Sequence, residues 1–133
     1  MKTGDGLHMG LAALVLIGIW MAASPWVFGY TVQAHAIQDT ITGVLLIGAA
    51  LLSAVLGPAT AVPLWFVVIV GLWMALTPAM FGQAGESFSA DNDIVLGLLT
   101  VLVAAVALGS RARLRLFAGS ADPEAASGQT SLW

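Results

Sequence analysis

GIWMAASPWVFGY, at Gly18–Tyr30, returns later in the chain as GLWMALTPAMFGQ, at Gly71–Gln83. Seven of the thirteen positions are identical: the Gly, Trp, Met, Ala, Pro, Phe and Gly. The similarity continues further on, because AIQDTITG at Ala36–Gly43 aligns with ADNDIVLG at Ala90–Gly97 at its Ala, Asp and Gly. Self-similarity at a fixed period indicates a tandem repeat. The chain therefore contains two copies of one unit, which we interpret as a helix, an outer loop and a returning helix.

The composition is that of a membrane protein. Of the 133 residues, 59% are hydrophobic and 8% are charged, whereas a soluble domain carries roughly 25% charged residues. No Lys or Arg occurs between Asp5 and Arg111, and the short run RARLR is no nucleic-acid-binding patch. The absence of cysteine excludes disulfides and thiolate metal sites. These features indicate an integral membrane protein whose surroundings are the lipid bilayer.

Four apolar stretches are candidate membrane spans. Each is shorter than the roughly 20 residues that cross a bilayer as a straight helix, so we expect each span to include flanking residues. The first stretch also resembles a signal peptide, but its pattern recurs at Leu64–Pro78, so we expect the first span to be retained. The prediction is an all-α membrane protein with four transmembrane helices in two tandem hairpins. The stretches are Leu7–Ala23, Thr40–Leu56, Leu64–Thr77 and Ile94–Leu108.

The basic residues predict the orientation. Lys2 precedes the first span, and Arg111, Arg113 and Arg115 follow the fourth, so the positive-inside rule predicts that both termini lie in the cytoplasm. Because each unit has two spans, both copies point the same way, and we expect a pseudo-twofold axis along the membrane normal. The predicted segments are a cytoplasmic N-terminus (1–6), a first hairpin (7–57), a cytoplasmic turn (58–63), a second hairpin (64–109), and a basic juxtamembrane segment with a disordered tail (110–133).

The outer corner of each hairpin carries a hydroxyl residue followed by proline. Ser24 precedes Pro25, and Thr77 precedes Pro78. This order is typical of an N-cap followed by a proline at the first helical position, so we predict a short second helix that bends away from each span. The outer connections would then run over Ser24–Asp39 and over Pro78–Asp93.

Other repeated residues are assigned structural roles at the same level. Asp39 and Asp93 are predicted to cap the following helices, and Gly29 and Gly82 to let the chain turn. An aromatic belt at the membrane interface would consist of Trp20, Trp26, Phe28, Tyr30, Trp73 and Phe81. Helix packing through small residues spaced by four is predicted for Gly18 and Ala22, for Ala49, Ser53 and Gly57, for Gly71 and Ala75, and for Ala105 and Gly109.

The SPW triplet at Ser24–Trp26, with its weaker copy TPA at Thr77–Ala79, resembles the SPW-repeat family of small bacterial membrane proteins. The resemblance covers about Leu11 to Leu108. It implies a membrane location and a motif near the end of the first of two helices in each repeat, and it implies no established activity. The second copy lacks the tryptophan of the motif.

Several residues also have chemical interpretations. The pair Asp39 and Asp93 could form an ion or proton site instead of helix caps, and His35 could be a ligand instead of a solvated loop residue. The tryptophans could stack on a quinone or pigment instead of forming a belt, and the RARLR run could bind anionic lipid or a soluble partner. We find no nucleophile–base pair, metal-ligand spacing or phosphate loop in the sequence, and predict neither an enzyme nor a bound cofactor.

The leading functional hypothesis is an accessory or scaffold subunit that packs against other membrane proteins or against itself. The alternative is a small oligomeric channel or carrier. The two hypotheses differ in where they place the polar residues Thr40, Thr42, Ser53 and Thr100: together on one pore-facing side for a channel, or turned toward helix backbones for a scaffold.

Overall fold

The computed structural model describes residues 5–29, 33–57, 60–80 and 87–120 of the chain. These residues form four helices and no strand, namely α1 (Asp5–Phe28), α2 (Gln33–Leu56), α3 (Val62–Met80) and α4 (Ser87–Ser120). All four are long and apolar enough to cross a membrane, with spans at Asp5–Phe28, His35–Leu56, Val62–Met80 and Ala90–Leu116. The predicted all-α membrane fold with four transmembrane helices is confirmed, while the pseudo-twofold axis stays a prediction.

The prolines lie inside helices, so the predicted N-caps at Ser24 and Thr77 are wrong. Helix α1 continues through Pro25 to Phe28, and α3 continues through Pro78 to Met80. Proline cannot donate an N–H to the carbonyl four residues before it, which for Pro25 is the carbonyl of Met21. The Ser24 hydroxyl donates to that same carbonyl at 2.9 Å, so it replaces the lost hydrogen bond and the helix continues.

The aspartates are not helix caps either. Helix α2 begins at Gln33 and α4 begins at Ser87, more than one turn before Asp39 and Asp93. The outer connections are therefore shorter than predicted, and His35 lies in α2 and not in a loop. Helix α4 also continues beyond the predicted fourth span to Ser120, while the last part of the predicted tail, 121–133, lies outside the described residues.

In each hairpin, the two helices cross at a pair of glycines that lie in direct contact. A side-chain carbon on Gly43 would lie 2.5 Å from the carbonyl oxygen of Gly18 and 2.7 Å from the amide nitrogen of Ala22. The second hairpin repeats this contact, since a carbon on Gly97 would lie 2.6 Å from both the Gly71 carbonyl oxygen and the Ala75 nitrogen. The backbones of α1 and α2, and those of α3 and α4, touch directly at these crossings. Helix α1 also contacts α4, and α2 contacts α3, although less closely. The helices therefore form a four-helix bundle.

The remaining small residues divide into three groups. Ala49 and Ser53 are buried in the bundle, as packing residues would be. Gly57 serves a different purpose from the predicted packing: its φ of 60° ends α2 in a left-handed conformation, which glycine adopts without steric cost. Ala105 and Gly109 lie on an exposed face of α4, and a side-chain carbon added to Gly109 would meet no atom within 4 Å in the part of the chain that the structure describes.

The bundle is apolar both inside and outside. Its core consists of Leu7, Leu11, Leu14, Ile17, Met21, Leu46, Ala49, Ala50, Leu64, Val67, Met74, Ala104 and Ala107. Large apolar side chains such as Leu16, Val55 and Leu102 are more than half exposed on the outer faces. An apolar surface of this extent is unfavourable in water and favourable in hydrocarbon, which agrees with four membrane-spanning helices.

Candidate functional site

Four buried oxygen-bearing side chains, one from each helix, lie near the same end of the bundle. Ser24 on α1, Asp39 on α2, Thr77 on α3 and Asp93 on α4 are all withdrawn from the surface, with Asp39 2% exposed and Asp93 8% exposed. We call these four residues the polar layer. The prediction treated them as separate caps at a wet interface, whereas the structure places them inside membrane-spanning helices.

The hydroxyl groups of the polar layer form hydrogen bonds within α1 and α3, and one of them also bonds to α2. The Ser24 hydroxyl lies 2.9 Å from the Met21 carbonyl oxygen and 3.3 Å from Oδ2 of Asp39. In the second hairpin, the Thr77 hydroxyl donates to the Trp73 carbonyl at 2.7 Å. Each hydroxyl thus directs its hydrogen toward its own helix and presents its oxygen to the surroundings.

Asp93 interacts with the side chain of the neighbouring Asn92. The Oδ1 atom of Asp93 is buried and has no hydrogen-bond partner in the part of the chain that the structure describes. The Asp39 and Asp93 carboxyl groups are close enough to interact electrostatically. The neighbouring Asn92 accepts a hydrogen bond from Nε1 of Trp20 at 3.4 Å, which brings this turn of α4 against α1.

Arg111 lies at the opposite end of the bundle and is 2% exposed. Its guanidinium donates to the Ser53 carbonyl at 2.6 Å and to the Thr60 carbonyl. Ser53 belongs to the last turn of α2, whose carbonyls have no partner within the helix, so Arg111 satisfies this helix end. Arg113 and Arg115 are exposed. Of the three predicted anchor residues, Arg111 is therefore buried, where it links α4 to α2 and to the turn before α3.

The aromatic residues lie on the outside of the bundle. Trp20 packs edge-on against Phe28, with ring centroids 6.1 Å apart. Trp73 is half exposed, and Trp26 is 76% exposed. The positions of Trp20 and Trp73 outside the core agree with contact to lipid, while Phe81 and Gly82 of the predicted corner lie outside the described residues.

The comparisons with known proteins assign the family. A model of the SPW repeat domain matches residues 8–107, which is most of the chain. The chain belongs to the SPW repeat family. No curated protein and no solved structure matches it.

The SPW triplet of this family member consists of a buried pair, Ser24 and Pro25, and an exposed tryptophan, Trp26. Ser24 replaces the hydrogen bond that Pro25 removes, and both side chains are buried. Trp26 points outward and lines a groove of about 680 Å³ between α1 and α2. The other residues of the groove are Pro25, Gly29, Gln33, Ala36, Ile37, Thr40 and Ile41. The second repeat has Ala79 at the tryptophan position. The two repeats therefore share only the hydroxyl residue and the proline of the motif.

Sequence reasoning missed the burial of the aspartates and of Arg111, although helical spacing contained a signal. Asp39 precedes Gly43 by four residues, and Asp93 precedes Gly97 by four, so each aspartate shares a helix face with the glycine at the crossing. Arg111 follows Asp93 by 18 residues, which is five complete turns. The buried face of α4 therefore contains both of these charged residues.

Proposed function

We propose that this SPW-family protein is a non-catalytic accessory or scaffold subunit of a bacterial inner membrane, which packs against other membrane proteins or against a second copy of itself. In this proposal both termini are cytoplasmic. The exposed Arg113 and Arg115 at the end of α4 support that orientation, because cytoplasmic segments are enriched in Arg and Lys.

The observation that carries the proposal is the unfilled small-residue ridge on α4, formed by Ala105 and Gly109. A side-chain carbon on Gly109 would meet no atom within 4 Å, and the neighbouring Leu102 and Val106 are more than half exposed. Small residues spaced by four let a second helix approach closely in a membrane. The glycine crossings inside the hairpins are already occupied, so this ridge is free for a helix from another chain.

The interior of the chain favours a scaffold over a channel. Leu14, Leu46, Leu64 and Val67 fill the interior of the bundle with at most 1% exposure each. A pore would then have to form between chains, where it needs polar side chains on the outer faces. Thr42, Ser53 and Thr100 are instead buried within one chain, and Thr40 donates to its own helix at the Ala36 carbonyl, 2.8 Å away.

The test is native mass spectrometry of the protein extracted gently from its own membranes. We expect a complex of fixed stoichiometry that is disrupted by Gly109→Leu and retained by Gly48→Leu, since Gly48 is also an exposed helical glycine whose added side-chain carbon would meet no described atom within 4 Å. A monomer in native extracts would refute the proposal. A homo-oligomer that conducts ions in liposomes would favour the channel instead.

The orientation has a separate test. Because the chain contains no cysteine, a single introduced cysteine reports its own side of the membrane. Ser131→Cys should react with a membrane-impermeant maleimide only after the cells are opened. Labelling in intact cells would contradict the cytoplasmic C-terminus.

A further inference from the structure

The groove beside Trp26, between the end of α1 and the beginning of α2, has the size and the lining of a ligand site. Its volume of about 680 Å³ lies within the range of roughly 300–1,000 Å³ that is typical of sites for small molecules. None of the eight described residues that line it is charged. The hydroxyl of Thr40 donates to the Ala36 carbonyl at 2.8 Å, so it already has a hydrogen-bond acceptor. The groove therefore favours an apolar occupant.

The groove opens onto the surface of the bundle that faces hydrocarbon. Trp26, Ile37 and Ile41 line the groove, and each of them is about half exposed or more. Val44, which follows about one turn later on α2, is exposed as well. These side chains belong to helices that are long and apolar enough to cross a membrane. The groove is thus continuous with the surface that contacts lipid, and acyl chains are the apolar molecules that surround this surface in a bilayer.

The two ends of the groove differ in polarity along α2. Gln33 is the first residue of α2 and precedes the apolar span that begins at His35, whereas Ile41 lies inside that span. The distance from Gln33 to Ile41 along the helix is about 12 Å. The first turn of α2 contains no acidic residue, so no carboxylate of that turn repels a phosphate group at the positive end of the helix dipole. This order matches a phospholipid whose headgroup lies near Gln33 and whose chain extends toward Ile41.

The second repeat lacks two of the residues that make this groove apolar. In the alignment of the repeats, Ala79 stands at the position of Trp26, and Asp91 stands at the position of Ile37. Both Ala79 and Asp91 are exposed. An acyl chain gains little from contact with a methyl group, and a carboxylate beside it would lose the water that solvates its charge. The apolar lining is therefore specific to the first repeat.

We propose that the groove binds one phospholipid, with an acyl chain against Trp26, Ile37 and Ile41 and the headgroup at the level of Gln33. The tryptophan offers the chain the largest apolar area, because aromatic side chains bury about 150–250 Å² each. The bound chain fills the space between α1 and α2 at this end of the first hairpin. The site shares no residue with the ridge on α4, so it holds or fails independently of the scaffold proposal.

The experiment is native mass spectrometry of the purified full chain in detergent, after removal of its own lipids, with palmitoyl-oleoyl-phosphatidylglycerol added in increasing amounts. We expect a first lipid that binds with a saturable dependence on concentration and that survives collisional activation better than later ones. Trp26→Ala and Ile37→Asp introduce the residues of the second repeat. Each should weaken the binding of the first lipid by about ten-fold or more, because each removes a large part of the apolar area that the chain contacts.

Trp65→Ala is the matched control, because Trp65 is an exposed tryptophan of α3 and does not line the groove. It should keep the wild-type affinity for the first lipid. Ile37→Ala is a milder change that should weaken binding several-fold, and it serves if Ile37→Asp fails to fold. The proposal is overturned if no lipid binds saturably, if Trp65→Ala weakens binding as much as Trp26→Ala, or if the groove variants keep the wild-type affinity.

Discussion

Substitution of Gly43 by alanine tests the crossing that joins the first hairpin. The added carbon would lie 2.5 Å from the Gly18 carbonyl oxygen, whereas ordinary contacts begin at 3.4 Å, so the backbones must separate by about 0.9 Å. Both atoms that it meets first belong to the backbone of α1, and no side-chain rotation can relieve the overlap. Overpacking of this kind costs about 1–3 kcal/mol.

The same substitution also removes a flexible glycine from a helix, which contributes about 0.5–1 kcal/mol in the opposite direction. The net expectation for Gly43→Ala is a loss of about 1–2 kcal/mol in the free energy of unfolding. Gly97→Ala should lose a similar amount, because its added carbon would lie 2.6 Å from the Gly71 oxygen. Gly48→Ala is the control on the same helix: nothing lies within 4 Å of its added carbon, so it should gain about 0.5 kcal/mol.

The assay is reversible unfolding in mixed micelles, with the mole fraction of sodium dodecyl sulfate as the denaturant and far-UV circular dichroism as the signal. The decisive result is a lower free energy of unfolding for Gly43→Ala and a higher one for Gly48→Ala. Equal effects of the two substitutions within about 0.5 kcal/mol, the usual size of surface effects, would refute the direct backbone contact between α1 and α2.

Two further predictions concern the ends of the helices, and the same unfolding assay checks both. Arg111→Met should lower the free energy of unfolding by about 2–4 kcal/mol, because two backbone carbonyls lose a charged donor. Arg113 is exposed and lies two residues further on, so Arg113→Met should stay within about 0.5 kcal/mol of wild type. Equal losses would mean that Arg111 acts only as a cytoplasmic anchor. Ser24→Ala should cost about 1–3 kcal/mol, because the Met21 carbonyl loses its donor, and the cost should shrink by about 1 kcal/mol in a Pro25→Ala background, where an N–H is restored. An unchanged cost in that background would exclude the proposed replacement of the proline's missing hydrogen bond.

The sequence predicted the helices better than it predicted their ends. The apolar stretches identified all four spans, because membrane burial requires a long run of apolar residues in each. The prolines suggested that α1 and α3 end at Ser24 and Thr77, since proline alone usually ends a helix. The local hydrogen bond from Ser24 to Met21, which depends on a side-chain rotamer, outweighed that tendency.

The polar residues show the same limit. Asp39 and Asp93 resembled caps because they stand just before apolar runs, and Arg111 resembled an anchor because it stands just after one. These residues are buried because they lie on the helix face that meets a neighbouring helix. A helix that is apolar on every side gives no sign in its sequence of which face that is. Gly43 and Gly97 were likewise absent from the predicted packing residues, although they form the closest contacts in both hairpins.

By itself, the sequence determined the membrane environment, the all-α class and the two tandem repeats, because composition and self-similarity are properties of the chain that do not depend on which residues meet. The tertiary structure alone decided which glycines touch, that Arg111 forms a hydrogen bond to α2, and that one oxygen-bearing side chain from each helix is buried at the same end of the bundle. These features depend on the rotation of each helix about its own axis. Backbone contacts between helices set that rotation, and those contacts exist only after the bundle has formed.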